Sequence, residues 1–238
     1  MFDFAMEGIM YKSFFLLFVL SVMVSCNKKD QNKIIDELSL NQGSDSSSSN
    51  QDPSLPVDLT VDDLTKTALP NEAFTFESHL LFIDTTTSQQ DKFDLAVELI
   101  KKVVGTDEFR SAVLNHTYNG VKTFVDNGGL SNAQIYEKIL EAAERLFPLK
   151  NNAMDMEVQL YTDLSSNVVG YTNTGTKRIF VNTKYFNIYA ANSVAANLFH
   201  EWLHKVGFGH AYSYSPSRDY SVPYAIGRMI GKMAIQFL

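Results

Sequence analysis

Cysteine is nearly absent. Cys26 stands alone among 238 residues, so no intramolecular disulfide and no cysteine-rich zinc site can form. A basic excess is missing too. Twenty Lys and Arg against 27 Asp and Glu leave a net charge of −7, and no basic run stands out to neutralise phosphates, which argues against nucleic acid as a partner. The uncharged apolar run Phe14 to Val24 falls short of the roughly 20 residues a membrane-spanning helix needs. There are five histidines, few enough that their placement matters more than their number. Against these absences, 45% hydrophobic and 12% aromatic residues are ample for one core and exclude a wholly disordered or fibrous chain. The length allows one domain, or at most two small ones.

The apolar run follows Lys12 and ends at Ser25-Cys26. A basic flank, a short apolar stretch and a small residue at the boundary describe a secretory signal. Met23-Val24-Ser25-Cys26 resembles a bacterial lipobox. The resemblance implies that residues 1–25 are a signal peptide and that Cys26 is lipidated as the first mature residue, a membrane anchor. A signal cut elsewhere, or an uncleaved anchor, is the alternative. Asp3 and Glu7 suit a signal's amino-terminal region poorly and point to Met10 as the start. Asn27 lacks the aspartate associated with inner-membrane retention, so the expected location is the cell envelope, at the outer membrane.

Residues 26–58 read as a flexible polar tether. Ser44 to Asp52 (SDSSSSNQD), followed by Pro53 and Pro56, has no apolar periodicity and cannot offset its ordering entropy. Residues 59–238 then form a single folded domain. Phe74 to Asp84 is a candidate strand. Phe93, Ala96, Val97, Leu99, Ile100, Val103 and Val104 make one helical face, with Thr106 capping a continuation through Val113. Asn127-Gly128-Gly129 is a turn. Ser131 starts a second helix, with Ile135, Ile139, Leu140, Ala143 and Leu146 on its face before Pro148. Met156 to Tyr161, Val168 to Thr172 and Arg178 to Thr183 read as strands, the last two joined by a hairpin at Asn173-Thr174-Gly175. A third helix begins near Asn192 or Ser193 and stops at Gly207, and Pro223 opens a carboxy-terminal helix.

Three of the five histidines lie in His200-Glu201-Trp202-Leu203-His204-Lys205-Val206-Gly207-Phe208-Gly209-His210. Four residues apart on a helix, His200 and His204 project from one face and can bind one metal ion. Glu201 is rotated about 100° around the helix, which places its carboxylate beside a metal rather than on it. Gly207 ends the helix and lets the chain return His210 as a third nitrogen ligand. Three protein ligands leave one tetrahedral position for water, the arrangement of a catalytic zinc. Histidines satisfied within an amphipathic helix, or metal bound without catalysis, are the plainer readings.

His-Glu-x-x-His-x-x-Gly-x-x-His is the signature of the metzincin zinc metalloendopeptidases, and the chain resembles them over about residues 90–238. The resemblance implies an α/β (α+β) fold: a twisted mixed sheet with an antiparallel edge strand, an active-site helix and a carboxy-terminal helix. Val168 to Thr172 would be that edge, where a peptide substrate adds as a strand. It also implies one catalytic Zn²⁺ on His200, His204 and His210, Glu201 as general base, and a tyrosine that stabilises the oxyanion. Tyr224 is the best-placed phenol, with Tyr212, Tyr214 and Tyr220 as rivals. Substrate would be protein or peptide.

Two departures stand out. Metzincins place a methionine under the zinc in a turn of the form Ser-x-Met-x-Tyr, whereas Ser221-Val222-Pro223-Tyr224 has proline there, and Met229 and Met233 lie further on. Prodomain cysteine latency is unavailable, since Cys26 is in the lipobox. The expected activity is zinc-dependent peptide-bond hydrolysis. A non-catalytic zinc-binding surface lipoprotein, or a zinc hydrolase of cell-wall peptides, is the alternative. His79 and His116 lack ligand spacing and read as ordinary polar residues, with Asn115-His116 a surface pair.

Overall fold

The computed structural model describes residues 23–27 and 81–238. Most of the expected signal peptide and of the polar tether lies outside the described residues, as do residues 59–80 at the start of the expected domain. His79 is outside them too.

Helices and strands mix along the chain. After β1 (Met23–Asn27) and β2 (Leu81–Ile83) come α1 (Thr87–Val104), α2 (Asp107–Asn115) and α3 (Asn132–Glu141). Then follow β3 (Glu157–Tyr161), β4 (Val168–Asn173), β5 (Arg178–Asn182) and the short α4 (Thr183–Phe186). The long α5 (Ala191–Val206), a 3₁₀ turn (Pro216–Tyr220), α6 (Val222–Met233) and a second 3₁₀ turn (Ala234–Phe237) complete the order.

Strands β2, β3 and β5 run parallel, and β4 runs antiparallel to β5. The sheet order is β1-β4-β5-β3-β2. On its outer side β4 pairs antiparallel with β1, Met23 facing Asn173 and Asn27 facing Val168. The strand expected at the sheet edge therefore has a neighbour on both sides. Thr176 N–H closes the β4–β5 hairpin on the Asn173 carbonyl at 3.1 Å.

Local chemistry sets the helix boundaries. Thr86 and Gln89 form a capping box before α1, and Ser131 and Gln134 form another before α3; each satisfies amides that the first turn leaves open. The Thr106 hydroxyl caps α2 by accepting from the Phe109 amide at 3.1 Å. The buried face of α1 comprises Phe93, Ala96, Val97, Leu99, Ile100, Val103 and Val104, the set its periodicity indicates. Helix α3 ends sooner than its apolar spacing suggests. Ala142 turns left-handed at φ 47°, Leu146 is exposed, and Glu144 swings inward to bury its carboxylate.

All sixteen residues of α5 are buried, which puts this helix at the centre of the domain. One side meets the sheet at Gly170 of β4, where a Cβ would stand 2.9 Å from Asn197 Oδ1. Another meets α6 at Gly227, where a Cβ would stand 3.0 Å from the Ala196 carbonyl oxygen and 3.2 Å from His200 Cβ. These two glycines let sheet and helix close on α5. Val158, Ile179 and Val181 from the sheet join α1, α5 and α6 in one hydrophobic core. Each such side chain stabilises the fold by roughly 1.5–3 kcal/mol. Among the described residues no helix is long and apolar enough to cross a membrane.

Candidate metal centre

His200 and His204 stand one turn apart on α5, and both are almost fully buried. Gly207 ends the helix in the left-handed region at φ 106°, a conformation that costs glycine little. Phe208 N–H then donates to the Leu203 carbonyl at 3.0 Å, and the chain turns back to deliver His210. The three imidazole rings form a nearly equilateral triangle, with centroids 5.1, 5.2 and 4.9 Å apart. One ligand nitrogen from each lies within 4.8 Å of the other two, so the triad can hold a metal ion. Among the described residues no fourth histidine or carboxylate joins that group.

Two of the rings are oriented by backbone carbonyls. His204 Nδ1 lies 2.8 Å from the Phe208 carbonyl oxygen and His210 Nδ1 lies 3.0 Å from that of Ala211. A proton on each Nδ1 leaves Nε2 with its lone pair. His204 Nε2 is buried without a hydrogen-bond partner, a loss that a metal ion would make good. Burial drives all three imidazoles towards the neutral form that ligation requires. His204 is lowered to about 4, with its Phe208 hydrogen bond pulling back. His210 is lowered to about 3 by burial and by the facing His204. His200 is lowered well below its usual value, first by burial and then by repulsion from the other two rings. The donor set and its protonation state fit a cation of the kind imidazole prefers.

Glu201 is completely buried and outside the ligand group. One turn on, Lys205 is held down to about 8, chiefly by burial, while Glu201 and Glu157 oppose the shift. Its ammonium donates to the Asn173 carbonyl at 2.9 Å and to that of Thr176, tying the helix to the β4–β5 hairpin. The i,i+4 spacing of Glu201 and Lys205 is a readable signal for this pair.

The structure brings Tyr224 to the site and leaves its rivals aside. Fully buried, the Tyr224 ring packs 4.5 Å from His200 and 4.7 Å from His210 between centroids. Tyr220 packs at a tilt against Tyr118, ring centroids 5.1 Å apart, and Tyr212 and Tyr214 are exposed. Arg218 sits with its guanidinium carbon 4.7 Å from the Tyr224 ring centroid and is 1% exposed. The sequence placed it only in a polar loop, and nothing in its spacing marks it for burial. Met233 belongs to the core, with Met229 packed against it.

His116 differs from the sequence expectation. It is buried rather than at the surface, stacked on Phe124 at 4.0 Å because the chain folds back at Tyr118–Val121. Burial, then the nearby Arg228 charge, lower it to about 4. It stays out of the metal group, as does Asp219, which faces Arg228 at 3.9 Å. Beside His210 opens a cleft of about 680 Å³, walled by Asp126, Gly128, Leu130, Lys138 and Phe208. Compared with known proteins, the chain matches no family model, no curated relative and no solved structure.

Proposed function

We propose that this chain is a zinc-dependent peptide-bond hydrolase of metzincin type, carried on a lipoprotein signal. The observation that carries the reading is the triad of buried His200 and His204 with half-buried His210, and Glu201 next to the first of them on the same helix. A zinc ion bound there supplies Lewis acidity and a water of lowered pKa. Glu201 takes the proton from the attacking water and passes it to the leaving amine. The buried carboxylate has little room to be solvated, and Lys205 on the next turn balances its charge. Backbone carbonyls of Phe208 and Ala211 engage Nδ1 of His204 and His210, so that Nε2 of each would be the atom to hold a metal. The cleft beside His210 offers room for a substrate side chain.

On this reading the chain is an envelope protein anchored through lipid at Cys26. Cleavage before Cys26 removes Met23, Val24 and Ser25, which carry most of the β1 register on β4. The outer edge of β4 is then open to an extended peptide. Labelling cells with palmitate checks the anchor: the chain is expected to take up label, and Cys26→Ser to take up none. Labelling that survives the substitution refutes it.

The decisive test of the activity is Glu201→Gln, with metal analysis and hydrolysis of a peptide library. We expect bound zinc to be retained and hydrolysis to fall by roughly 10²–10⁴-fold. Retained zinc with undiminished hydrolysis removes Glu201 from its role. Stoichiometric zinc with no hydrolysis by the unsubstituted chain leaves a non-catalytic zinc-binding protein. Cleavage confined to cell-wall peptides reassigns the substrate.

A further inference from the structure

Backbone groups meet all three imidazoles, Phe208 at His204, Ala211 at His210 and Pro223 at His200, and His200 and His210 also pack on Tyr224. His204 is locked by the short contact of its Nδ1 with the Phe208 carbonyl, deep in the helix end. His200 and His210 both lean on Tyr224. Its ring meets His200 edge-on at 76° and His210 at 52°, so the three rings form a second triangle with sides of 4.5, 4.7 and 5.2 Å. His210 needs this most, because it comes from a loop and its Nδ1 contact is to the carbonyl of the very next residue, at the exposed rim.

The chain builds Tyr224 into that place firmly. Pro223 sits in the first turn of α6, where its fixed φ suits the helix start, and Tyr224 follows directly. One turn later Gly227 lets α6 approach until a Cβ would touch His200 Cβ. The preceding 3₁₀ turn supplies Arg218 over the Tyr224 ring, and its next residue, Asp219, faces Arg228 of α6. A guanidinium on an aromatic face away from water is attracted by the ring's electron density, so Arg218 braces the ring from the side facing it. The Tyr224 side chain is fully buried, its ring packed against both imidazoles.

We propose that Tyr224 is a positioning residue, an aromatic base that fixes the imidazoles of His200 and His210 for the metal, and that Arg218 clamps it there. The inference rests on the metal-centre reading but not on peptide hydrolysis. Its ring, not its hydroxyl, carries the function, which separates it from an oxyanion-stabilising phenol.

The test measures the metal itself. Zinc affinity of the full chain is read by competition with a chromogenic chelator, and ligand geometry by the visible spectrum of the Co²⁺ form. Tyr224→Leu is expected to weaken zinc binding by about 10–100-fold and to change the Co²⁺ spectrum, the usual scale for losing a partner of a metal ligand. Tyr224→Phe keeps the ring and should restore affinity to within about threefold. Arg218→Gln, further from the ligands, should weaken binding by about three- to tenfold. Circular dichroism of the metal-free proteins checks that each variant is folded. Wild-type affinity and an unaltered Co²⁺ spectrum in both folded Tyr224→Leu and Arg218→Gln overturn the proposal, and if Tyr224→Leu does not fold, Arg218→Gln decides alone. A hundredfold fall in peptide hydrolysis by Tyr224→Phe at unchanged zinc affinity overturns it as well, because the hydroxyl would then act on the reaction. A chain that binds zinc as expected but cleaves no peptide sinks the peptidase reading and leaves this one standing.

Discussion

The two faces of α5 bury polar groups for opposite ends. On one face, His204 Nε2 is sealed from water with no protein partner, a state that costs stability until a cation arrives. On the other, two residues from His200 and His204, the Trp202 indole donates to Glu144 Oε1 at 2.8 Å, and the Asp155 amide donates to the same oxygen at 3.0 Å. There the protein supplies two donors to one carboxylate oxygen of Glu144, while its other oxygen, Oε2, stays buried without a hydrogen-bond partner. The contrast teaches that the helix is anchored behind and left unfinished in front. A ligand site built this way is rigid where it is attached and reactive where it is open.

The largest test of that contrast removes a group from the open face. His204→Ala should lower zinc affinity by about a thousandfold or more, since two imidazoles remain. At a metal concentration of 1,000 Kd, zinc stabilises the unsubstituted chain by about 4 kcal/mol. Thermal melts with and without zinc should therefore show a large upward shift in Tm for the unsubstituted chain and almost none for His204→Ala. A preserved shift would mean that metal binds elsewhere.

The closed face breaks through pH. Glu144 is pushed up to about 7, mainly by burial, with its two hydrogen bonds opposing the shift. Its folded value lies above the ordinary 4.5, so the proton is held more tightly in the fold than in the unfolded chain. The stability this gives is complete below about 4.5 and is lost as pH rises to about 7. Glu144→Gln keeps an oxygen for Trp202 and Asp155 without the charge. At pH 8 it should be more stable than the unsubstituted chain by about 2 kcal/mol, and at pH 4 about equal. Parallel Tm–pH curves from 4 to 8 would show that Glu144 is not held neutral. His116 titrates in the opposite sense, its stability lost as pH falls from about 6.5 to 4, but it is common to both proteins and cancels in the comparison. The zinc-dependent shift should survive Glu144→Gln, because the two faces share no partner.

The open face was far more legible in the sequence than the closed one. Spacing alone put His200, His204 and His210 together, because a helical period and a glycine stop are local rules. Caps at Thr106 and Ser131 were readable for the same reason. Glu144 and Trp202 meet across 58 positions, and no periodicity joins them. The expected helix through Leu146 fails at that point: apolar spacing continues, but tertiary burial of Glu144 overrides it. Arg218 was hidden similarly, a cation in a Tyr- and Ser-rich loop whose burial depends on the place α6 gives Tyr224. Carbonyls that orient histidines carry no side-chain signal at all.

The smallest effect probes how tightly the open face is braced from outside. Alanine normally gains about 1 kcal/mol over glycine inside a helix. At position 227 the added methyl would press on the Ala196 carbonyl and on His200 Cβ, at 3.0 and 3.2 Å. Both belong to the fully buried α5, which has the sheet behind it and cannot retreat freely. Overpacking of this kind costs about 1–3 kcal/mol, so the clash should outweigh the propensity gain and leave Gly227→Ala less stable by about 1 kcal/mol. Because the pressure falls on a ligand, zinc affinity should also drop by a few-fold. Calorimetry of the metal-free form and chelator competition of the loaded one read the two effects separately. A stabilised Gly227→Ala with full zinc affinity would show that α6 can move away from His200, and that the open face owes its geometry to α5 alone.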